Sequence, residues 1–276
     1  MPPTAKQIDR TTLVLSMIAA ALALVSSAVA LLVPSFYHRD PAIIAPQLLG
    51  QDLVTIPLAL ILAASAWFAF RGSARATITT AGLLFYLAYT YATYSFGARF
   101  NALFLVYVAI LGISTYAMLL VLPRLMPSSE PDWSRFPRRS LVALLYSVVA
   151  LFSLLWGLDI VPALLAGGTP DAALEGETPT GIIHVLDLAY LLPLGAIAGT
   201  LLLRKRAWGI PLAGLFLVKG LAISVAVLSM ALFVYLAELP VNVPVAAAMA
   251  VMVVLFGLVG WRYARSIRPS NRRAVL

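Results

Sequence analysis

The sequence predicts an all-α fold, a polytopic transmembrane helical bundle of eight spans in a single membrane domain, 1–276. Two observations carry that expectation. The first is greasiness: 62% of the 276 residues are apolar, only 11% are charged, and eight long apolar runs fill the chain. A helix of about 20 apolar residues crosses a hydrocarbon core of roughly 30 Å, so eight helices leave room only for loops and tails. The second is charge placement. Sixteen of the nineteen Lys and Arg residues occupy every second gap between the runs. Cytoplasmic loops carry the Lys/Arg excess, so the alternation predicts both termini inside.

The basic gaps are the N-terminal tail (Lys6, Arg10), 71–76 (Arg71, Arg75), 124–139 (Arg124, Arg135, Arg138, Arg139), 204–206 (Arg204, Lys205, Arg206) and the C-terminal tail (Arg262, Arg265, Arg268, Arg272, Arg273). Only Arg39 and Arg99 lie in outside gaps, and Lys219 lies inside an apolar run. The net charge of +8 therefore reads as topology and contact with anionic inner-leaflet lipids rather than as a nucleic-acid surface. With no cysteine, disulfides, thiolate metal sites and cysteine nucleophiles are excluded.

Span 1 covers 12–33; it is longer than the apolar core of a signal peptide and reads as an anchor-like first span. The outside loop SFYHRDPAIIAPQLLGQ leads to span 2 at 52–70, with Asp52 at its start as a helix N-cap. Span 3 is 77–97 and span 4 is 102–123, joined by the outside turn ARFN. The proline-containing inside loop 124–139 divides the chain into halves, 1–123 and 140–276. Span 5, 140–161, precedes the longest outside segment, 162–181, which holds Asp171, Glu175 and Glu177 and no base. Spans 6, 7 and 8 are 182–203, 210–237 and 245–261. Trp67, Trp156, Trp208 and Trp261 fall near span ends, as interfacial aromatics do.

The halves read as a 4+4 parallel repeat. Asp52-Leu53, Pro57, Arg71 and Gly82 in the first correspond to Asp187-Leu188, Pro193, Arg204 and Gly214 in the second, and PAIIA at 41–45 echoes PALLA at 162–166. Parallel repeats about an axis along the membrane normal occur among transporters.

Ionisable groups inside a bilayer are costly, so each is a functional candidate. Lys219 is the deepest: thirteen residues beyond Arg206 place it about 20 Å from the inner rim. Asp187 lies about 26 Å above Arg204 by the same count, and an Asp187–Lys219 ion pair is expected. That pair suits either helix register or a charge relay or anion site. Both histidines and most acids gather in the outer third: His38, Asp40, Asp52, Asp159, His184, Asp187 and Glu238. The substrate-binding or charge-relay candidates are Asp52, Asp187, Lys219, His184, Tyr86 and Tyr89. No metal or cofactor is predicted; a divalent site would have to come from His184, Asp187 and His38. Span 3 and its neighbour carry an aromatic series, including Phe85, Tyr86, Tyr89, Tyr91, Tyr94, Tyr107 and Tyr116, suited to core packing or to a pocket for an apolar ring. Arg99 is expected to pair with an outer carboxylate. Gly195 and Gly199 form a small-xxx-small contact, expected within the bundle.

No G-x-S-x-G, P-loop or dinucleotide fingerprint is present. The segments FGARFNALFLVYVA (96–109) and HVLDLAYLLPL…LLLRKRAWGIPLAG…LVKG (184–220) resemble a group of bacterial multi-pass membrane proteins of unknown function. The resemblance implies a bacterial inner membrane and transfers no activity and no site residue. Three functions follow as expectations. One is a small-solute transporter or permease-like binding protein with a site between the halves. The others are an enzyme or accessory subunit acting on a lipid or quinone from the periplasmic side, and a structural or assembly protein. The short inside loops disfavour the last.

Overall fold

The computed structural model describes residues 7–126, 133–134 and 136–267. Lys6, Arg135, Arg268, Arg272 and Arg273, five of the expected inside bases, lie outside those residues. The described residues are mainly helical, with no strand among them. In chain order the long helices are α1 (Arg10–Leu32), α2 (Ile44–Phe70), α3 (Ala74–Gly97), α4 (Phe104–Val121) and α5 (Arg138–Leu165). A short α6 (Asp171–Glu175) follows, then α7 (Ile182–Leu186), a π-helical turn (Asp187–Leu191) and α8 (Leu192–Leu203) as one rod, then α9 (Gly209–Leu236) and α10 (Val243–Ser266).

Seven of these rods are long and apolar enough to cross a membrane, and the molecule is a multi-pass membrane protein. The exception by composition is α3. Its 24 residues run the same length, but threonines and tyrosines lower its hydropathy. Fifteen of them are buried, against four of 28 in α5 and four of 24 in α10. Helix α3 is therefore the centre of the bundle, where hydroxyl-bearing side chains find partners instead of lipid.

Side-chain and backbone caps fix where several helices begin. The Asp9 carboxylate accepts from Thr12 N at 2.8 Å, Ser73 Oγ from Ala76 N at 3.3 Å, and Asn242 Oδ1 from Val245 N at 3.1 Å, each satisfying a donor that the first turn leaves open. Helix α2 starts at Ile44, eight residues before the expected bound of 52. The apolar segment after Pro41 continues the helix outward, and Pro46 is tolerated because first-turn N–H groups need no intrahelical acceptor. Asp52 is thus not an N-cap; it lies inside α2 and is buried.

Contacts at the two ends show that successive rods alternate in direction. At one end Arg124 pairs with Asp9 at 3.2 Å, Arg75 Nε donates to Ile267 O at 2.8 Å, and Arg138 donates to Leu203 O at 3.1 Å. At the other, Arg99 N donates to Asp40 Oδ1 at 2.8 Å, the Arg99 guanidinium pairs with Glu177, and Asp171 N donates to Asp159 Oδ1 at 2.9 Å. The outer-carboxylate partner expected for Arg99 is Glu177. We call these the arginine end and the histidine end.

Helices α1 to α4 form a closed ring, each packed on the next and α4 returning to α1. The later helices follow the same order, α5 on α8, α8 on α9, α9 on α10, but α10 barely touches α5. Helix α9 joins the two groups by packing on α2 and α3, while α7 touches α3. Glycines permit the closest approaches. A Cβ on Gly50 of α2 would lie 2.6 Å from Met230 Cα of α9, and one on Gly82 of α3 would lie 2.5 Å from Val218 Cβ. One turn nearer the arginine end, a Cβ on Gly214 of α9 would meet Ile78 of α3 at 2.6 Å. Gly195 and Gly199 are used internally, against Phe216 and Val149 and against Tyr146.

Candidate functional site

Two buried carboxylates organise the polar interior, one in each group of helices. In the first, Asp52 Oδ1 accepts from Ser27 Oγ of α1 at 2.7 Å, and Oδ2 accepts from Tyr37 OH of the α1–α2 turn at 2.7 Å. Tyrosines surround this pair. Tyr37 OH lies 3.5 Å from Tyr107 OH, Tyr91 OH bonds Ser26 Oγ at 2.9 Å, and Tyr94 OH donates to Leu48 O at 3.0 Å. The rings of Tyr91, Tyr94 and Tyr107 pack 5.2–5.8 Å apart, within the range of favourable edge and offset contacts. Tyr86 OH accepts from Gln51 Nε2 at 2.6 Å and bonds Thr55 Oγ1 at 3.1 Å. Burial pushes the Tyr37 phenol well up, and the adjacent Asp52 carboxylate adds to it, so Tyr37 stays a donor.

The second carboxylate lies where the two groups meet. Asp187 Oδ1 accepts from Tyr89 OH of α3 at 2.8 Å, and Oδ2 accepts from Trp156 Nε1 of α5 at 3.0 Å. Asp187 opens the π-helical turn, in which Leu192 N donates five residues back to Asp187 O. Pro193, which has no N–H, follows directly. Such turns concentrate at functional positions because they re-aim side chains within a helix.

Lys219 of α9 is wholly buried, and its Nζ sits 3.6 Å from the centre of the Tyr89 ring. Gly82 lets α9 approach α3, and helical side chains slant toward the helix N-terminus, so the Tyr89 ring leans back over the lysine. The expected direct Asp187–Lys219 ion pair is not formed; Tyr89 stands between, its hydroxyl on the carboxylate and its face on the ammonium. A helix from the other half of the chain supplies this group, which reasoning confined to spans 6 and 7 does not include.

Lys219 Nζ has no hydrogen-bond partner. A cation over an aromatic face is worth about 2 kcal/mol when desolvated. Removing an ammonium from water costs several kcal/mol per ion even after relaxation. The ring contact alone does not offset that. His184 Nε2 is a second orphan. It lies 3.1 Å from Asp159 Oδ2 of α5, close enough for an ion pair, yet the alignment does not make a hydrogen bond. The His184 ring packs over Gly181 and meets the Trp156 ring edge-on, centroids 4.6 Å apart. Trp156 therefore touches both Asp187 and His184.

The candidate residues thus separate into three places. Asp187, Tyr89, Lys219 and, at one remove, His184 form one cluster. Asp52 and Tyr86 belong to the hydroxyl network of the first half. His38 is exposed on the α1–α2 turn, its Nδ1 2.9 Å from Ser35 O, and makes no recorded contact with His184 or Asp187. Among the described residues no three His, Cys, Asp or Glu side chains gather as a metal site would require. Trp156 and Asp159 complete the cluster; the one was visible only as an aromatic near a span end and the other only as an outer acid. No family model matches the chain, and no curated protein or solved structure matches it.

Proposed function

We propose that the chain is a small-solute carrier or permease-like binding protein of the bacterial cytoplasmic membrane, with eight spans, both termini in the cytoplasm and its site at Asp187, Tyr89 and Lys219. Counting α3 as the eighth span is supported by its length and by neighbours that cross on every side. The orientation is supported by the bases at the arginine end, which would face the cytoplasm.

Several features support a 4+4 repeat. The helices of each half pack in the same order, and the glycines aligned from the sequence, Gly82 and Gly214, both lie at the α3–α9 contact. Each half's buried Asp bonds the first helix of its own half, Ser27 of α1 or Trp156 of α5. Asp and Pro are five residues apart in α2 and six apart in the α7–α8 rod, and the added residue is taken up by the π-helical turn.

The single observation that carries the functional reading is the Lys219 ammonium. Three N–H donors are buried without an acceptor at the contact between the halves, beside a carboxylate whose oxygens already accept from neutral donors. A ligand bearing an acceptor group would complete the lysine, and a contact between two halves is where a rocking carrier holds its cargo.

The test is thermal unfolding of the purified protein against a panel of small carboxylates, amino acids, sugars and amides. One class should raise the Tm, and Lys219→Met and Asp187→Asn should each abolish the shift. Unchanged shifts in both variants would overturn the assignment. The enzyme reading rests on His184 and Asp159 and has no nucleophile among the contacts described for them; bound metal lost on His184→Ala would favour it.

A further inference from the structure

We propose that Lys219 is reached from the histidine end only, and that Trp156, carried on a displaceable outer half of α5, is the gate. The inference rests on the reading of Lys219 as a binding position, though its test does not require the ligand to be known.

Toward the arginine end the lysine is closed by close-packed bulk. Within two turns of Lys219, a Cβ on Gly82 would lie 2.5 Å from Val218 and one on Gly214 would lie 2.6 Å from Ile78, so α3 and α9 leave no gap between them. Phe216 packs on Phe256 with ring centroids 6.2 Å apart, Phe136 packs on Tyr263 at 5.9 Å, and Tyr263 OH donates to Ile210 O at 2.9 Å. Helices α3, α8, α9 and α10 all contribute to this plug, and moving it would disturb both halves.

Toward the histidine end the closure is thin. Trp156 spans from Asp187 to His184, and beyond it stands Asp159, whose side chain is 20% exposed against 5% for His184. Helix α5 carries these two closing residues and is weakly held there. Its buried residues end at Val148, and α10 scarcely touches it. Beyond Val148 its recorded polar ties to the bundle are Trp156 to Asp187, Asp159 to His184 and Asp159 to Asp171 N. Segments with few buried contacts open at the lowest free energy, so this stretch is the wall that yields first. A cleft of ≈ 740 Å³ also opens at the histidine end, among α2, α6 and the α9–α10 turn. Along α9 its lining goes no deeper than Val227, two turns short of Lys219, so it is not the route.

The chain has no cysteine, which makes the test direct. With Lys219→Cys as the sole thiol, a membrane-impermeant methanethiosulfonate reagent is applied to right-side-out and to inverted vesicles. Labelling is expected only from the periplasmic side. Adding Trp156→Ala should speed it by well over tenfold, because losing one hydrogen bond to a carboxylate is worth about tenfold or more and the blocking ring is lost as well. Trp156→Phe, which keeps a ring but loses the N–H, should give a smaller rise and serves if the alanine variant fails to fold. Leu154→Ala, on the exposed face of the same stretch, should leave the rate unchanged. Equal labelling from both sides, or a rate indifferent to both Trp156 variants, overturns the gate. Gated labelling with no solute shift in the unfolding panel would instead leave the gate standing and remove the carrier reading.

Discussion

The two halves of this protein solve the same problem, a carboxylate buried in a helical bundle, in opposite ways. Around Asp52 every recorded donor is matched: Ser27 and Tyr37 serve the carboxylate, and Tyr91, Tyr94 and Tyr86 find Ser26, Leu48 O, Gln51 and Thr55. The four helices there close on themselves. Around Asp187 the carboxylate is equally well served, yet two neighbours, Lys219 Nζ and His184 Nε2, are left without hydrogen bonds, and the ring of helices stays open between α5 and α10. Saturated polar networks rigidify, whereas orphaned groups in a low-dielectric interior are costly unless something else completes them. The difference separates a carboxylate set in a matched network from one flanked by two unpartnered groups.

The sharpest way to break that comparison is to separate the halves. Gly50→Ala sets a methyl group 2.6 Å from Met230 Cα, backbone that has no rotamer to change. A loss of about 3 kcal/mol, at the upper end for overpacking, is expected in reversible unfolding. Gly112→Ala, with nothing within 4 Å, should be neutral, and equal effects would mean that the α2–α9 contact is not tight.

A second comparison removes one donor from each carboxylate. Tyr37→Phe strips Asp52 of a fully enclosed donor and should cost about 1.5–3 kcal/mol, the range for hydrogen bonds to charged groups. Trp156→Phe should cost less, because water can replace the indole on the open side of the bundle. The opposite order would show that the second half is the more closed of the two.

The smallest effect is at the rim. Asp9→Ala removes the cap of α1 and should cost about 1 kcal/mol. Hydrogen bonds from Thr12, helped by Arg124, hold the Asp9 carboxyl below its usual range. A carboxylate with a depressed folded pKa stabilises above its unfolded pKa and loses that contribution as pH falls through the folded value. The gap between wild type and Asp9→Ala should therefore be full at neutral pH and shrink as the pH falls below about 4.

Much of this architecture was legible in the chain. Apolar run length and arginine spacing marked the eight rods, and Lys219 stood out because topology does not explain it. The aromatic series of span 3 suited core packing or a pocket, and Tyr86 and Tyr89 are buried in the bundle. The one-residue difference between Asp52–Pro57 and Asp187–Pro193 was on view as well, although its meaning as a π-helical turn was not. What stayed hidden depends on contacts between segments remote in sequence. The depth of Asp52 required knowing that PAIIAPQLLGQ winds into α2. The interposition of Tyr89 between Asp187 and Lys219 required the approach of α3 to α9 across the two halves. Trp156 looked like an interfacial ring because span ends attract tryptophan, and only the placement of Asp187 opposite it shows the hydrogen bond.

The most direct measurement is a density map of the purified protein in lipid, resolved well enough to place side chains around Lys219. The account predicts density for a bound acceptor group within hydrogen-bond distance of Lys219 Nζ, absent from the Lys219→Met variant. Nζ hydrogen-bonded to the protein's own carbonyl or carboxylate groups, with no further density beside it, would contradict it.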